Sequence, residues 1–420
     1  MNKLIYRQCI LGSTMASDKE FMMERFRRYY SKNHPYIPTM FKNREFGFMF
    51  FDRSFVQRHM AFTSDDALYS FLQTQVPSHS YHSTAYYQYP GAATMEDKQW
   101  IGADLIFDLD ADHIPGAELM SYDEMLARIK IEVLRLVDDF LLGDLGFDES
   151  HLRIVFSGGR GYHIHVSDER VACLKSHERR EIVDYIAGNN LNMDWVFPTK
   201  TVNITEIKGR VQESRVRCIP PGGSEGWKGK MRIGIAWLIE EMRSLDVKDL
   251  RTRLPYLNTY SETLVNGMLK DLYEKRGERS GSDMLLEKNI FDCFTSKRHE
   301  DIFLGLLENE VIPRFRCEID EPVTADIKRL IRLPGSLHGK SGLRVVPMER
   351  EDLDDFNPLL DAVPDTYTDR EIEVFLKHKV DITIRGKRIT GEGICRVPEY
   401  AAMFLIGRRE ATLEFVESLE

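Results

Sequence analysis

Two aspartates, Asp108 and Asp110, stand two residues apart in the run D-L-I-F-D-L-D. On a β-strand, residues i and i+2 project from one face, so both carboxylates point together while Phe107 and Leu109 turn to the core. Carboxylates held that close repel unless a cation lies between them. Hard oxygen ligands with room for substrate phosphates suit Mg²⁺ or Mn²⁺. A strand end with a solvated polar face would carry the same pair, and sugar-nucleotide transferases also use D-x-D. The apolar residues Leu105, Ile106 and Phe107 that lead into the pair predict a central strand. Its acids then sit at the C-terminal end, where ligands collect in α/β sheets.

A second chemical run is S-G-G-R-G-Y-H-I-H, from Ser157 to His165. Three glycines in four positions let backbone N–H groups turn toward an anion without Cβ obstruction. Arg160 at the tip offers a fork of donors matched to phosphate oxygens. Alternation puts His163 and His165 on one face. No G-K-[ST] follows and no helix opens after the glycines, so this is not a Walker loop. A third run, R-L-P-G-S-L-H-G-K-S-G-L-R from Arg332 to Arg344, joins three glycines to Arg332, His338, Lys340 and Arg344. Acids flank the segment before it: Asp320, Glu321 and Asp326. An acid at a helix mouth also serves as a cap or a dipole partner. Taken together, two or three carboxylates for metal and two glycine-basic turns for a triphosphate describe phosphoryl transfer, which needs mainly positioning and charge neutralisation.

These residues need elements to hold them. Aromatic and basic residues predict a helix over 20–30 and a short strand over 46–51. Alternation predicts strands over 104–110, 152–157 and 162–166, the last two joined by the glycine turn. Ser121 is placed to cap a helix over 122–142. Helical spacing covers 177–189, 235–250 and 259–275, with a basic, Pro/Gly-rich loop over 208–232 between them. Pro322 suits the first turn of a helix over 322–331, and 343–347 reads as a strand. The expected architecture is α/β: a core over 1–170, a mostly helical insertion over 171–310, and the core resumed over 311–420.

At 420 residues, 42% of them hydrophobic, the chain can bury sizeable cores in two or three units. Its net charge of −10 excludes a protein that coats DNA wholesale, but not an enzyme with a local basic cleft. No apolar run approaches the roughly 18 residues of a membrane span, and residues 1–7 lack the apolar stretch of a secretory signal. The sequence reads as an intracellular, cytoplasmic protein. Its six cysteines are scattered, with no C-x-x-C, and predict reduced thiols rather than a zinc cluster or disulfide framework. One segment, 206–232, carries seven basic side chains against three acidic. It is a candidate surface for a polyanion, although a solvated loop would look the same.

In these three runs, in this order, the sequence resembles the catalytic small subunit of archaeal and eukaryotic DNA primases. D-E-P-V-T-A-D-I-K-R-L-I-R, at 320–332, is similar to the archaeal branch in particular. The resemblance implies a primase-type core of mixed β-sheet with flanking helices. It implies metal-binding, catalytic roles for Asp108, Asp110 and Asp320, the last lying twelve positions before Arg332. It also implies triphosphate contacts at Ser157, Gly158, Arg160 and His163 on one side and Arg332 and His338 on the other. R-E-F at 44–46 resembles a further family block to which no role is attached. The implied reaction is two-metal nucleotidyl transfer with Mg²⁺ or Mn²⁺, making RNA primers from NTPs on single-stranded DNA, with a large primase subunit as partner. Many relatives carry a Cys/His zinc knuckle after the paired aspartates. Residues 111–124 here contain no cysteine, and His113 alone cannot complete a four-ligand site, so no structural zinc is expected. Two other classes share parts of the pattern: a D-x-D sugar-nucleotide transferase and a non-catalytic nucleic-acid-binding subunit.

Overall fold

The computed structural model describes residues 17–111, 116–207 and 210–413. The strands are, in chain order, β1 (Phe46–Met49), β2 (Gln57–Met60), β3 (His79–Ser83), β4 (Ala85–Tyr87), β5 (Trp100–Ala103), β6 (Leu105–Asp110), β7 (Leu152–Phe156) and β8 (Gly161–Val166). A hairpin follows, β9 (Thr199–Ile207) and β10 (Arg210–Arg217), and then β11 (Leu330–Arg332), β12 (Val346–Met348), β13 (Glu371–Ile384), β14 (Lys387–Pro398) and β15 (Ala411–Thr412). The chain forms two compact units. One comprises residues up to 137, 147–183 and 318 onward; the other comprises 138–146 and 184–317.

Two four-stranded sheets dominate the first unit, in the orders β11-β3-β1-β2 and β12-β7-β8-β6. Their strands pair antiparallel throughout. Phe46 and Phe48 of β1 are fully buried and meet Phe41, Phe62 and Phe71 through tilted and edge-on ring contacts, the geometry that aromatic quadrupoles favour. Ile106 of β6, Ile331 of β11 and Val323 form one buried cluster, which brings an edge of each sheet together. The α/β architecture of the sequence reading is present, but β6 is an edge strand rather than a central one. Its apolar character has another cause. The Asp320 N–H donates to the Asp108 carbonyl at 3.1 Å, and the short helix Glu321–Ala325 covers the strand's outer side with Val323.

That helix is shorter than the expected 322–331. Asp326 is its C-cap, and the Asp326 carboxylate accepts the Lys328 N–H at 2.9 Å, a local turn that competes with helix. The chain then extends as β11, with Arg332 opposite Tyr81 of β3. The helix Tyr122–Leu134 has Ser121 and Glu124 as a reciprocal capping box and runs on as a π-helical stretch, Arg135–Asp144. The helix Glu399–Gly407, buried through Ile406, is anchored at its start, where Glu399 accepts from Arg25 at 2.9 Å and from Arg28 at 2.6 Å.

The second unit is largely helical around Trp227, which is fully buried. The expected loop over 208–232 is confined to 219–225, where the prolines and the Gly-Gly pair stand. Beyond residue 209 the range otherwise supplies β10 and, from Gly226, the first turns of the helix Gly226–Ser244. β-Branched residues recur over 199–216, at 199, 201, 202, 204, 205, 207, 211 and 216, and favour strand, a signal that the charges there obscure. No helix among the described residues is long and apolar enough to cross a membrane.

Candidate active site

Strand β6 buries Leu105, Phe107 and Leu109 on one face; on the other, Ile106 is buried and Asp108 and Asp110 are half-buried. Asp108 lies opposite His163 of β8, and Asp110 lies opposite Gly161. The His163 ring nitrogen Nε2 is 3.6 Å from the Asp108 carboxylate, and the Arg160 guanidinium is 3.9 Å from that of Asp110. The turn between β7 and β8 closes through the Ser157 N–H, which donates to the Gly161 carbonyl at 3.0 Å. The Ser157 hydroxyl accepts the Gly159 N–H at 3.3 Å. Gly161 is required by closeness: a Cβ there would fall 2.2 Å from the Leu109 carbonyl oxygen. Gly158 is required by backbone, with φ +77°, and a Cβ on it would fall 2.6 Å from that of His338.

The Arg332–Arg344 run therefore packs directly on the first glycine turn. His338 is buried; its Nδ1 lies 3.1 Å from the Ser341 hydroxyl, which in turn donates to the Gly158 carbonyl at close range. Arg332 bonds His79 and lies 4.7 Å above the Tyr81 ring. Burial, followed by Arg332, pushes the pKa of both His79 and His338 down, for His79 to about 2. Burial and the neighbouring His165 likewise hold His163 well below the ordinary histidine range. All three rings are thus neutral near pH 7, each with one N–H to donate and one nitrogen to accept.

One cavity of about 710 Å³ gathers these groups, lined by Asp108, Asp110, Ser157, Arg160, His163, Arg332 and His338. Two sequence candidates stand apart from the lining. Gly158 is buried, and the half-buried Gly159 lines the cavity in its place. Asp320 is tied to Asp108 by the main-chain bond already described, and its carboxylate makes no capping bond. Asp326 spends its carboxylate on the Lys328 N–H. Among the described residues, no three His, Cys, Asp or Glu side chains already stand as a ligand cage. The donor set still fits a hard divalent cation, because Mg²⁺ commonly takes one or two carboxylates and completes its shell with water and substrate phosphates. His113 lies outside the described residues, as does Lys208.

Sequence reasoning passed over several residues in the lining: Tyr81, Tyr122, Arg329, Arg408 and Arg409. Tyr122 belonged only to a predicted helix, and the two arginines lie more than sixty residues beyond the last motif. Nothing local marks them. The basic segment at 206–232 also changes character. Arg217 pairs with Asp194 at 2.9 Å, Lys230 with Asp144 at 2.6 Å, and Arg232 donates to the Leu285 carbonyl at 3.1 Å. These three cations are engaged within the fold instead of lining a groove for a polyanion.

Comparison with known proteins bears on the same residues. The family model described as DNA primase small subunit matches residues 107–350, which include both glycine turns and all three aspartates. The chain belongs to the DNA primase small-subunit family. It is 41% identical to the DNA primase small subunit PriS of Methanocella arvoryzae, over 94% of this chain and 98% of that one. It is 39% identical to PriS of Methanococcoides burtonii, over 94% of this chain and 98% of that one, and 38% identical to PriS of Methanosarcina acetivorans, over 93% and 95%. The R-E-F run at 44–46 is engaged within the fold. Arg44 and Glu45 are buried, Arg44 pairing with Asp104 at 2.7 Å and Glu45 with Arg58 at 3.1 Å.

Proposed function

We propose that this chain is the catalytic subunit of a DNA primase, joining NTPs into short RNA primers on a single-stranded DNA template. The observation that carries this reading is the single cavity in which Asp108 and Asp110 face Arg160, His163, Arg332 and His338. Asp108 and Asp110, with Asp320 beside them, would hold Mg²⁺ or Mn²⁺. When bound, those ions lower the pKa of the attacking 3′-hydroxyl and offset charge on the departing pyrophosphate. The chain's own groups do the rest. The two glycine turns grip the triphosphate from opposite sides, Arg160 and Arg332 by guanidinium forks and His163 and His338 by neutral N–H donors. These donors are fixed before reaction, so they stabilise developing charge without reorganising.

Family membership and the paired phosphate-binding turns favour this reading over a sugar-nucleotide transferase. A large primase subunit is the expected partner, and the replication machinery the expected setting. The test is labelled NTP incorporation on unprimed single-stranded DNA with Mg²⁺ or Mn²⁺, with and without the large subunit. Asp108→Ala and Asp110→Ala are each expected to lower incorporation at least ~10³-fold, by analogy with loss of an essential electrostatic group, while the folded state is retained. Primers made by the double variant at the wild-type rate would overturn the metal assignment and leave a non-catalytic nucleic-acid-binding subunit as the better description.

A further inference from the structure

The cavity has a wall that lies outside the family-matched residues, 107–350. The helix Glu399–Gly407 is buried from Glu399 through Ile406, hydrophobic on all sides, and ends at the cavity. A helix buried all round is held by packing from every direction, which makes its end a rigid platform. Gly407 meets the second glycine turn so closely that a Cβ would fall 3.0 Å from the Lys340 carbonyl carbon and the Ser341 nitrogen. The next two residues, Arg408 and Arg409, enter the lining. Arg408 is aimed by its neighbours: its guanidinium lies 4.6 Å above the Tyr122 ring and pairs with Glu410 at 2.6 Å. Arg409 has φ +63° and is exposed, and its guanidinium has no hydrogen bond or ion pair among the described residues. Two cations at a helix C-terminus also face its negative dipole end.

Position decides what these cations would meet. Tyr122 donates at close range to the Gly159 carbonyl, and the charged groups around its hydroxyl are Arg408, Arg160, Asp123 and Asp110. Arg408 therefore stands at the tip of the first glycine turn, and Gly407 against the second. Of the aromatic and apolar lining, Tyr122 is engaged with the first turn and Arg408, whereas Tyr81, Leu330 and Ile331 belong to β3 and β11. A nucleotide with its base toward those residues and its reacting phosphate at the aspartates extends its remaining phosphates between the turns, toward Lys340 and the helix end. We propose that the Arg408–Arg409 turn clamps the terminal phosphate of the incoming nucleoside triphosphate. This inference rests on the triphosphate reading of the cavity.

The experiment uses the full chain with Mg²⁺ and measures equilibrium binding of ATP, ADP and AMP, and separately of a single-stranded DNA oligonucleotide. The variants are Arg409→Ala, Arg408→Ala/Arg409→Ala and Arg409→Lys. The double variant is expected to lose about tenfold in ATP affinity, the scale of one lost charge-assisted contact, with ADP and oligonucleotide affinity unchanged. In turnover, KM for NTP should rise while kcat changes little, and Arg409→Lys should recover part of the loss. Unchanged ADP binding reports that the fold is intact, and Arg409→Ala alone carries the test if the double variant fails to fold. An ATP-to-ADP ratio equal to wild type overturns the clamp. A fall in oligonucleotide affinity at constant ratio also overturns it and assigns the turn to nucleic-acid phosphates. Wild-type protein that binds ATP no better than AMP would sink the triphosphate reading itself, a result distinct from either.

Discussion

Gly161 shows how little freedom the residues around the aspartates have. It lies opposite Asp110, and a methyl group on it would fall 2.2 Å from the Leu109 carbonyl oxygen and 3.0 Å from the Asp110 Cα. Backbone on backbone cannot yield as a side chain can, so β6 would have to separate from β8 just where Asp110 is carried. Gly161→Ala is expected to cost roughly 2–4 kcal/mol of stability. Its loss of activity should be larger than that cost explains, since an ångström of misplacement is worth about 10²-fold. Gly159→Ala is the control for stability, because its Cβ would meet the His338 ring and the Ser157 hydroxyl at 3.4–3.5 Å and no backbone closer. Urea melts on the two variants and NTP incorporation by Gly161→Ala check this, and equal losses of stability would contradict it. The grouping of D-x-D with the glycine turns in one cavity is legible in the chain, because each motif is recognised from neighbours within four positions. His79, Tyr122 and Arg408 were not legible. Each gains its meaning from a partner far along the sequence, and spacing carries no trace of that.

The elements are joined by buried charges. Arg44, next to the start of β1, donates to the Ser83 carbonyl at 2.7 Å and pairs with Asp104, just before β6, at 2.7 Å. It thereby ties β3 of the first sheet to the entry of the aspartate strand. Both side chains are almost wholly buried, and removing one partner strands the other charge without water. Arg44→Met is expected to cost about 3–5 kcal/mol, measured as a fall in the urea midpoint. Arg44→Met/Asp104→Leu should recover much of it, because the uncompensated charge is then gone. A double variant as unstable as the single one would place the cost in packing instead. Strand and helix types near the motifs followed from period and capping, as Ser121 and Glu124 illustrate. What misled was burial without pairing at β6, which looks central because the helix Glu321–Ala325 covers its edge, and charge at β10, which looks like loop because four charged residues outnumber its two valines.

Across the two sheets of the first unit runs a set of buried imidazoles, and these make the stability of the whole molecule depend on pH. The His82 and His165 rings stack at 5.9 Å, and each has an Nε2 with no hydrogen-bond partner. The His82 Nδ1 lies 3.1 Å from the Ser83 carbonyl, which assigns its single proton to that nitrogen. Burial, reinforced by Arg44, holds His82 well below the ordinary histidine range. Burial lowers His165 to about 4 against the opposing pull of Asp104, and burial with Arg332 lowers His79 to about 2. In the unfolded chain all three titrate near 6.5, so below that pH the unfolded state takes up protons that the folded state refuses. Stability is therefore full above pH ~6.5 and falls as pH drops toward 4, by up to ~1.4 kcal/mol per pH unit for each ring. His163 and His338, likewise held low by burial, bring the set to five rings, with a slope of up to ~7 kcal/mol per unit, against a total of about 5–15 for a typical domain. The urea midpoint should be level from pH 8 to 7 and drop steeply between 6 and 5. His82→Phe, which removes one titrating ring of the five from between the sheets, should flatten that drop by about a fifth. A midpoint that stays level down to pH 5 would mean the imidazoles are protonated inside the fold, and the closed packing between β3 and β8 would then be wrong.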